Sequence, residues 1–98
     1  MSDLLHVSDF TPWLNQIFPI RFTQEVTLSA ELIQVNEVDG FTTVDRKPFS
    51  IVFRTEQKNE YYQQAVCTLQ HPEKGELALF LVPLGLDNMG MRYEAVFS

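Results

Sequence analysis

Between Ala65 and Phe97 three runs place apolar residues at every second position, and this period of two constrains the fold more than any other feature. Ala65, Cys67 and Leu69 alternate with Gln64, Thr68 and Gln70. Leu77, Leu79 and Leu81 alternate with Glu76, Ala78, Phe80 and Val82, and Tyr93, Ala95 and Phe97 alternate with Arg92, Glu94 and Val96. His71-Pro72-Glu73-Lys74-Gly75 and the segment Gly85 to Gly90 separate these runs and carry turn-forming residues. The pattern predicts three successive antiparallel strands. The middle one is apolar on both faces near its end, as expected of a central strand, with Pro83 at a bulge or at the end of its ladder.

The same period continues upstream. Phe49, Ile51 and Phe53 give a strand with a strongly apolar face. Val26, Leu28, Ala30 and Leu32 share a face before the phase passes to Ile33, Val35 and Val38, a shift that predicts a bulge or bend. Ile20 and Phe22 open a further strand, with Gln24-Glu25 as its turn. Asp39-Gly40 is a second turn, Phe41 to Lys47 a loop or weak edge strand, and Thr55 to Glu60 a polar connection.

Near the start, Ser8 or Asp9 can cap a helix, Pro12 suits its first turn, and Val7 precedes the cap. Phe10, Trp13, Leu14 and Ile17 then fall at helical spacing, and Pro19 ends the helix at or before Phe18. A helix this short requires a tertiary partner, so Phe10 and Trp13 are expected to cover the open end of a sheet. The expected fold is a single domain over residues 1–98, mainly β: a small antiparallel β-barrel or sandwich of about six strands with one short N-terminal helix. A parallel βαβ architecture lacks the crossover helices it needs.

The 98 residues include seven Lys plus Arg, which are scattered, against thirteen Asp plus Glu. This acidic balance disfavours nucleic acid and anionic membrane surfaces, both of which require clustered basic groups. The one cysteine, Cys67, excludes an internal disulfide and a multi-cysteine zinc site. Met1 to Phe10 lacks the pattern of a signal peptide, and the longest apolar run, Leu77 to Leu84, is far shorter than a membrane span. A cytoplasmic location is expected, with no cofactor and no metal.

Candidate chemistry is sparse. Cys67 and His71 lie four positions apart, a spacing that on a strand separates them by roughly 13 Å, too far for a nucleophile–base pair. An acid–base pair of His71 with Glu73 or Glu94 requires convergence around a cleft. His6 has no partner at ligand spacing. Asp87-Asn88-Met89-Gly90 lacks the oxygen ligands of a calcium loop and suits a turn. No residue is therefore assigned a catalytic, cofactor-binding or metal-binding role. Tyr61 and Tyr62, with Arg92 and Glu94 on one face of the last strand, form a candidate interaction surface.

The stretch Leu69-Gln70-His71-Pro72-Glu73-Lys74-Gly75-Glu76-Leu77, the following Leu79 to Gly85, and Asp87 to Phe97 resemble a family of small uncharacterised bacterial proteins, a domain of unknown function. Asp9-Phe10, Leu14, Phe18 and Pro48 to Phe53 look similar too. The resemblance supplies no catalytic residues. It implies an accessory or structural role in a phage-derived, tail-related assembly. The expected function is a non-enzymatic structural or protein-interaction module, acting through a protein partner or self-association. The alternative is a β-barrel carrier that encloses a small molecule.

Overall fold

A computed structural model of the chain describes residues 5–37 and 48–97. The described residues form six strands: β1 (Ile17–Arg21), β2 (Thr27–Glu37), β3 (Phe49–Arg54), β4 (Ala65–His71), β5 (Gly75–Leu86) and β6 (Met91–Phe97). All neighbouring pairs are antiparallel, and the strands close into a barrel in the order β1-β2-β3-β6-β5-β4. The barrel is the outcome between the two β architectures expected.

Two three-stranded meanders, β1-β2-β3 and β4-β5-β6, make up the ring. Exchanging β1 with β4, β2 with β5 and β3 with β6 reproduces the same ring order in reverse, so the two halves are topologically equivalent. Each middle strand is long and bears one irregularity, between Leu32 and Gln34 in β2 and between Pro83 and Gly85 in β5. These are the bulges expected from the phase shift at Ile33 and from Pro83. A bulge increases local twist and lets a small sheet curl on itself.

Alternation along each strand fills the interior. Phe18 and Ile20, Ala30 and Leu32, Phe49, Ile51 and Phe53, Cys67 and Leu69, Leu79 and Leu81, and Met91, Tyr93 and Ala95 are all buried in one core. On β3 the outward Ser50 and Val52 are buried as well, leaving a strand with two apolar-covered faces.

The expected short N-terminal helix is present over residues 7–13, as two consecutive 3-10 segments, Val7–Asp9 and Thr11–Trp13, and it ends before Leu14 and Ile17. Asn15 then adopts a left-handed conformation, φ 71°, and the chain becomes strand at Ile17. The period of two in Phe18, Ile20 and Phe22 prevails over the helical spacing of Phe10, Trp13, Leu14 and Ile17. Phe10 is buried and Trp13 packs on the core, whereas Leu14 and Ile17 are exposed. Pro19 lies within β1, at the margin of its pairing, because the ladder to β4 begins only at Ile20. The expected cover over one barrel end is nevertheless present, built from Phe10 against Phe49, Phe97 and His71. The turn at Asp39-Gly40, the segment Phe41 to Lys47, and Val38 lie outside the described residues.

Candidate functional site

His71 is the inward residue at the last position of β4, buried among the rings of Phe10, Trp13 and Phe18. Its Nδ1 accepts hydrogen bonds from the backbone N–H groups of Glu73 (3.0 Å) and Lys74 (3.1 Å). Its Nε2 lies 2.8 Å from the Asp9 carbonyl oxygen and must carry the proton that bridges them. The ring thus ties the β4–β5 turn to the N-terminal turns, and both nitrogens are engaged. A salt bridge from Lys74 to Asp9 at 3.5 Å runs parallel to it.

Cys67 points into the same core, with Leu69 between it and His71. Burial raises the thiol pKa above its ordinary value, and Sγ reaches the Ala65 carbonyl at 3.7 Å. The Glu94 position faces outward on β6, since Tyr93 and Ala95 face the core. His71, Glu94 and Cys67 therefore share no cleft. Among the described residues, no group of three or more His, Cys, Asp or Glu side chains is placed to hold a metal ion.

At the opposite end of the barrel the irregular connection from Thr55 to Gln64 crosses from β3 to β4. The Tyr93 hydroxyl anchors it, donating to Gln57 Oε1 (2.7 Å) and accepting from the Tyr62 N–H (3.0 Å). Burial, the largest influence on this phenol, raises its pKa. Tyr62 is turned inward and stacks on Phe22 with centroids 5.2 Å apart. Its neighbour Tyr61 is exposed.

Asp87-Asn88-Met89-Gly90 closes the β5–β6 connection as a turn. Asp87 Oδ1 accepts from the N–H groups of Met89 (2.8 Å) and Gly90 (2.9 Å), while Oδ2 meets Arg54 at 3.2 Å. The Met89 hydrogen bond, with help from Arg54 and Gly90, holds the Asp87 carboxyl below its usual pKa. Arg54 also reaches Glu31 at 3.4 Å, so its guanidinium is already committed on one flank of a 340 Å³ surface cleft.

The four residues of the candidate interaction surface part company. Tyr62 belongs to the core margin. Tyr61 lines a shallow cleft of 260 Å³ with Pro83, Leu84, Gly85 and Met91. Arg92 is the ladder partner of Gly85, and its Nε is buried without a hydrogen-bond partner among the described residues. Glu94 stands two residues further along the outer face, opposite Val82. The β5 bulge pushes Leu84 outward, and Leu86 and Met89 are exposed near it. Sequence reasoning missed these three. Their signal was the apolar pattern continuing beyond Pro83, where a turn would ordinarily become polar.

These features define a class: a small closed barrel in which the buried His71 and the Tyr93 hydroxyl hold opposite ends, and in which Leu84, Leu86 and Met89 are exposed along the β5–β6 hairpin. Over residues 5–97 the chain matches a domain of unknown function (DUF6916), and it belongs to that family. No curated protein matches it, and no solved structure does. No helix among the described residues is long and apolar enough to cross a membrane.

Proposed function

We propose that this chain is a non-enzymatic structural or protein-interaction module of the cytoplasm, an accessory of a phage-derived, tail-related assembly. The observation that carries the reading is the surface around the β5 bulge. Tyr61, Leu84, Leu86 and Met89 are exposed there, next to the unsatisfied Nε of Arg92. Aromatic residues, Met and Arg are the types enriched where proteins meet. The side chains most suited to catalysis, His71 and Cys67, are instead packed into the core. The interior positions of all six strands are occupied by side chains, which favours this reading over a carrier.

Cross-linking in cells that produce the chain tests it. Lys58 donates to the Met89 carbonyl at 3.1 Å, so its amine reports on this surface. A defined protein should cross-link through Lys58 and be lost in the double variant Tyr61→Ala, Arg92→Ala, whose melting remains cooperative. The proposal fails if no protein is captured or if the double variant captures the same one.

A further inference from the structure

Between Thr27 and Ala30, β2 is bonded on one side alone. The Phe22 N–H donates to the Val26 carbonyl and the Leu32 N–H to the Gln16 carbonyl, so positions 26 and 32 turn their backbone groups toward the β1 side. Alternation along an antiparallel ladder gives Leu28 and Ala30 the same direction and turns Thr27, Ser29 and Glu31 the other way. Pro19, which has no N–H, pairs with Ser29, as this phase requires. On the other side the ladder to β3 reaches Glu31, opposite Arg54, and stops. Its register, continued, would set Glu56 against Ser29. No backbone hydrogen bond joins 27–30 to 55–57 among the described residues. The Thr55 N–H is held by the Met91 carbonyl, and the chain bends at Glu56.

Space lies there instead. Two clefts of 340 Å³ each are lined by both Ser29 and Glu56. One continues past Thr27 and Gln57, the other past Glu31 and Arg54 to the exposed Ile17 and Met89. Together they make one groove along the unpaired half of β2. The N–H and C=O groups of Thr27 and Ser29 face it, without a hydrogen-bond partner among the described residues. The charged part of the lining is acidic. It carries the carboxylates of Glu31 and Glu56 and one cation, Arg54, which is already held by Glu31 and Asp87. Glu56 is exposed and has no ion pair among the described residues. The Lys58 amine is engaged at the Met89 carbonyl, and Arg21, opposite Thr27 on β1, stands outside the lining.

We propose that this groove takes an extended, basic segment of a partner protein, which adds as a short strand beside Thr27 to Ser29 and sets a lysine or arginine against Glu56. The backbone groups decide the first half of this. Thr27 and Ser29 each present one donor and one acceptor, about 7 Å apart along the strand, and an extended backbone offers donors and acceptors at that same two-residue spacing. The lining decides the second half. Three carboxylates, Glu31, Glu56 and Asp87, surround one guanidinium, so an incoming acidic side chain meets repulsion and an incoming cation completes the unpaired Glu56. Apolar side chains of the segment alternate with its cation and come to rest on Ile17 or Met89.

The groove shares no lining residue with the Tyr61 cleft, so the two proposals fail independently. Residue-resolved hydrogen exchange on the full chain tests the edge first: the Thr27 and Ser29 amides should exchange faster than those of Leu28 and Ala30. A display library of random octapeptides, panned against the full chain, then supplies the probes. Recovered peptides should carry Lys or Arg and should protect the Thr27 and Ser29 amides when titrated as synthetic peptides. N-methylation of alternate peptide amides should abolish binding. Glu56→Lys should weaken it about tenfold, and Glu56→Gln less. The double variant Tyr61→Ala, Arg92→Ala should bind these peptides unchanged. The proposal is overturned if the Thr27 and Ser29 amides are already protected in the monomeric chain, or if no recovered peptide protects them. It is equally overturned if binding ignores both N-methylation and Glu56→Lys, or if a second copy of the chain protects these amides as concentration rises.

Discussion

His71 holds three parts of the molecule in one ring: the Asp9 carbonyl on one side and two amides of the β4–β5 turn on the other. His71→Ala leaves those part-buried groups without their ring partner and opens a gap beside Phe10 and Trp13, at a cost of about 2–4 kcal/mol. The midpoint of urea unfolding measures this. His71→Phe should restore part of the packing and none of the hydrogen bonding, and so fall between. Gly90 is sensitive for a different reason. A Cβ built there would lie 1.7 Å from the Thr55 carbonyl oxygen, a backbone atom with no freedom to withdraw. Gly90→Ala should therefore destabilise by about 1–3 kcal/mol or more, in the range of overpacking. Gly75 has open space around it, and Gly75→Ala meets only the strain of φ 77°, about 1–2 kcal/mol. Thermal melts of the two variants should rank them in that order. Asp87 adds a pH-dependent contribution. Its pKa is lowered in the fold, so its stabilising effect is complete above the ordinary carboxylate range and is lost as pH falls through the lowered folded value. The stability difference between the native chain and Asp87→Ala should accordingly be present at neutral pH and shrink in acid, as read from denaturation curves at each pH.

At the scale of elements, the strands and the short N-terminal helix were legible, and the point where that helix gives way to β1 was not. A strand in a closed barrel has one face against the core, so Phe49, Ile51 and Phe53 or Tyr93, Ala95 and Phe97 declare it by alternation alone. Both bulges were legible for the same reason: a bulge shifts the phase, as at Ile33, or coincides with a residue that cannot complete a ladder, as at Pro83. The region from Phe10 to Ile17 presents two periods at once. Phe10 and Trp13 face the core and Leu14 and Ile17 do not, a distinction set by what lies beneath the segment in space. Tyr62 was misplaced for a related cause, since its burial depends on Phe22 and on the Tyr93 hydroxyl, distant in sequence. Of the candidate surface, Tyr61 was legible as an exposed residue. The cleft it lines with Pro83, Leu84, Gly85 and Met91 depends on the β5 bulge and on the path of the Thr55–Gln64 connection, neither of which is local information.

At the scale of the whole molecule, stability depends on closing both ends of the barrel. Phe10 is fully buried against Phe49, Phe97 and His71, with centroids at 6.1, 5.9 and 5.7 Å. Phe10→Ala should remove about 3–5 kcal/mol, a large share of the total for a domain this small, and the loss should appear as a lower melting temperature with unfolding still cooperative. The two lateral junctions between the meanders are unequal. β3 and β6 are joined by six residue pairs, from Phe49↔Phe97 to Arg54↔Arg92. β1 and β4 are joined by two, Ile20↔Leu69 and Arg21↔Thr68. The ring therefore behaves as a clasp: fixed along one seam and fastened lightly along the other. The lightly fastened seam should part first in native-state fluctuations, and the amides that bond across it should exchange with solvent sooner than those of Ile51 and Val52. Assembly should run the other way, the six-pair seam zipping early and the two-pair seam closing the cylinder last.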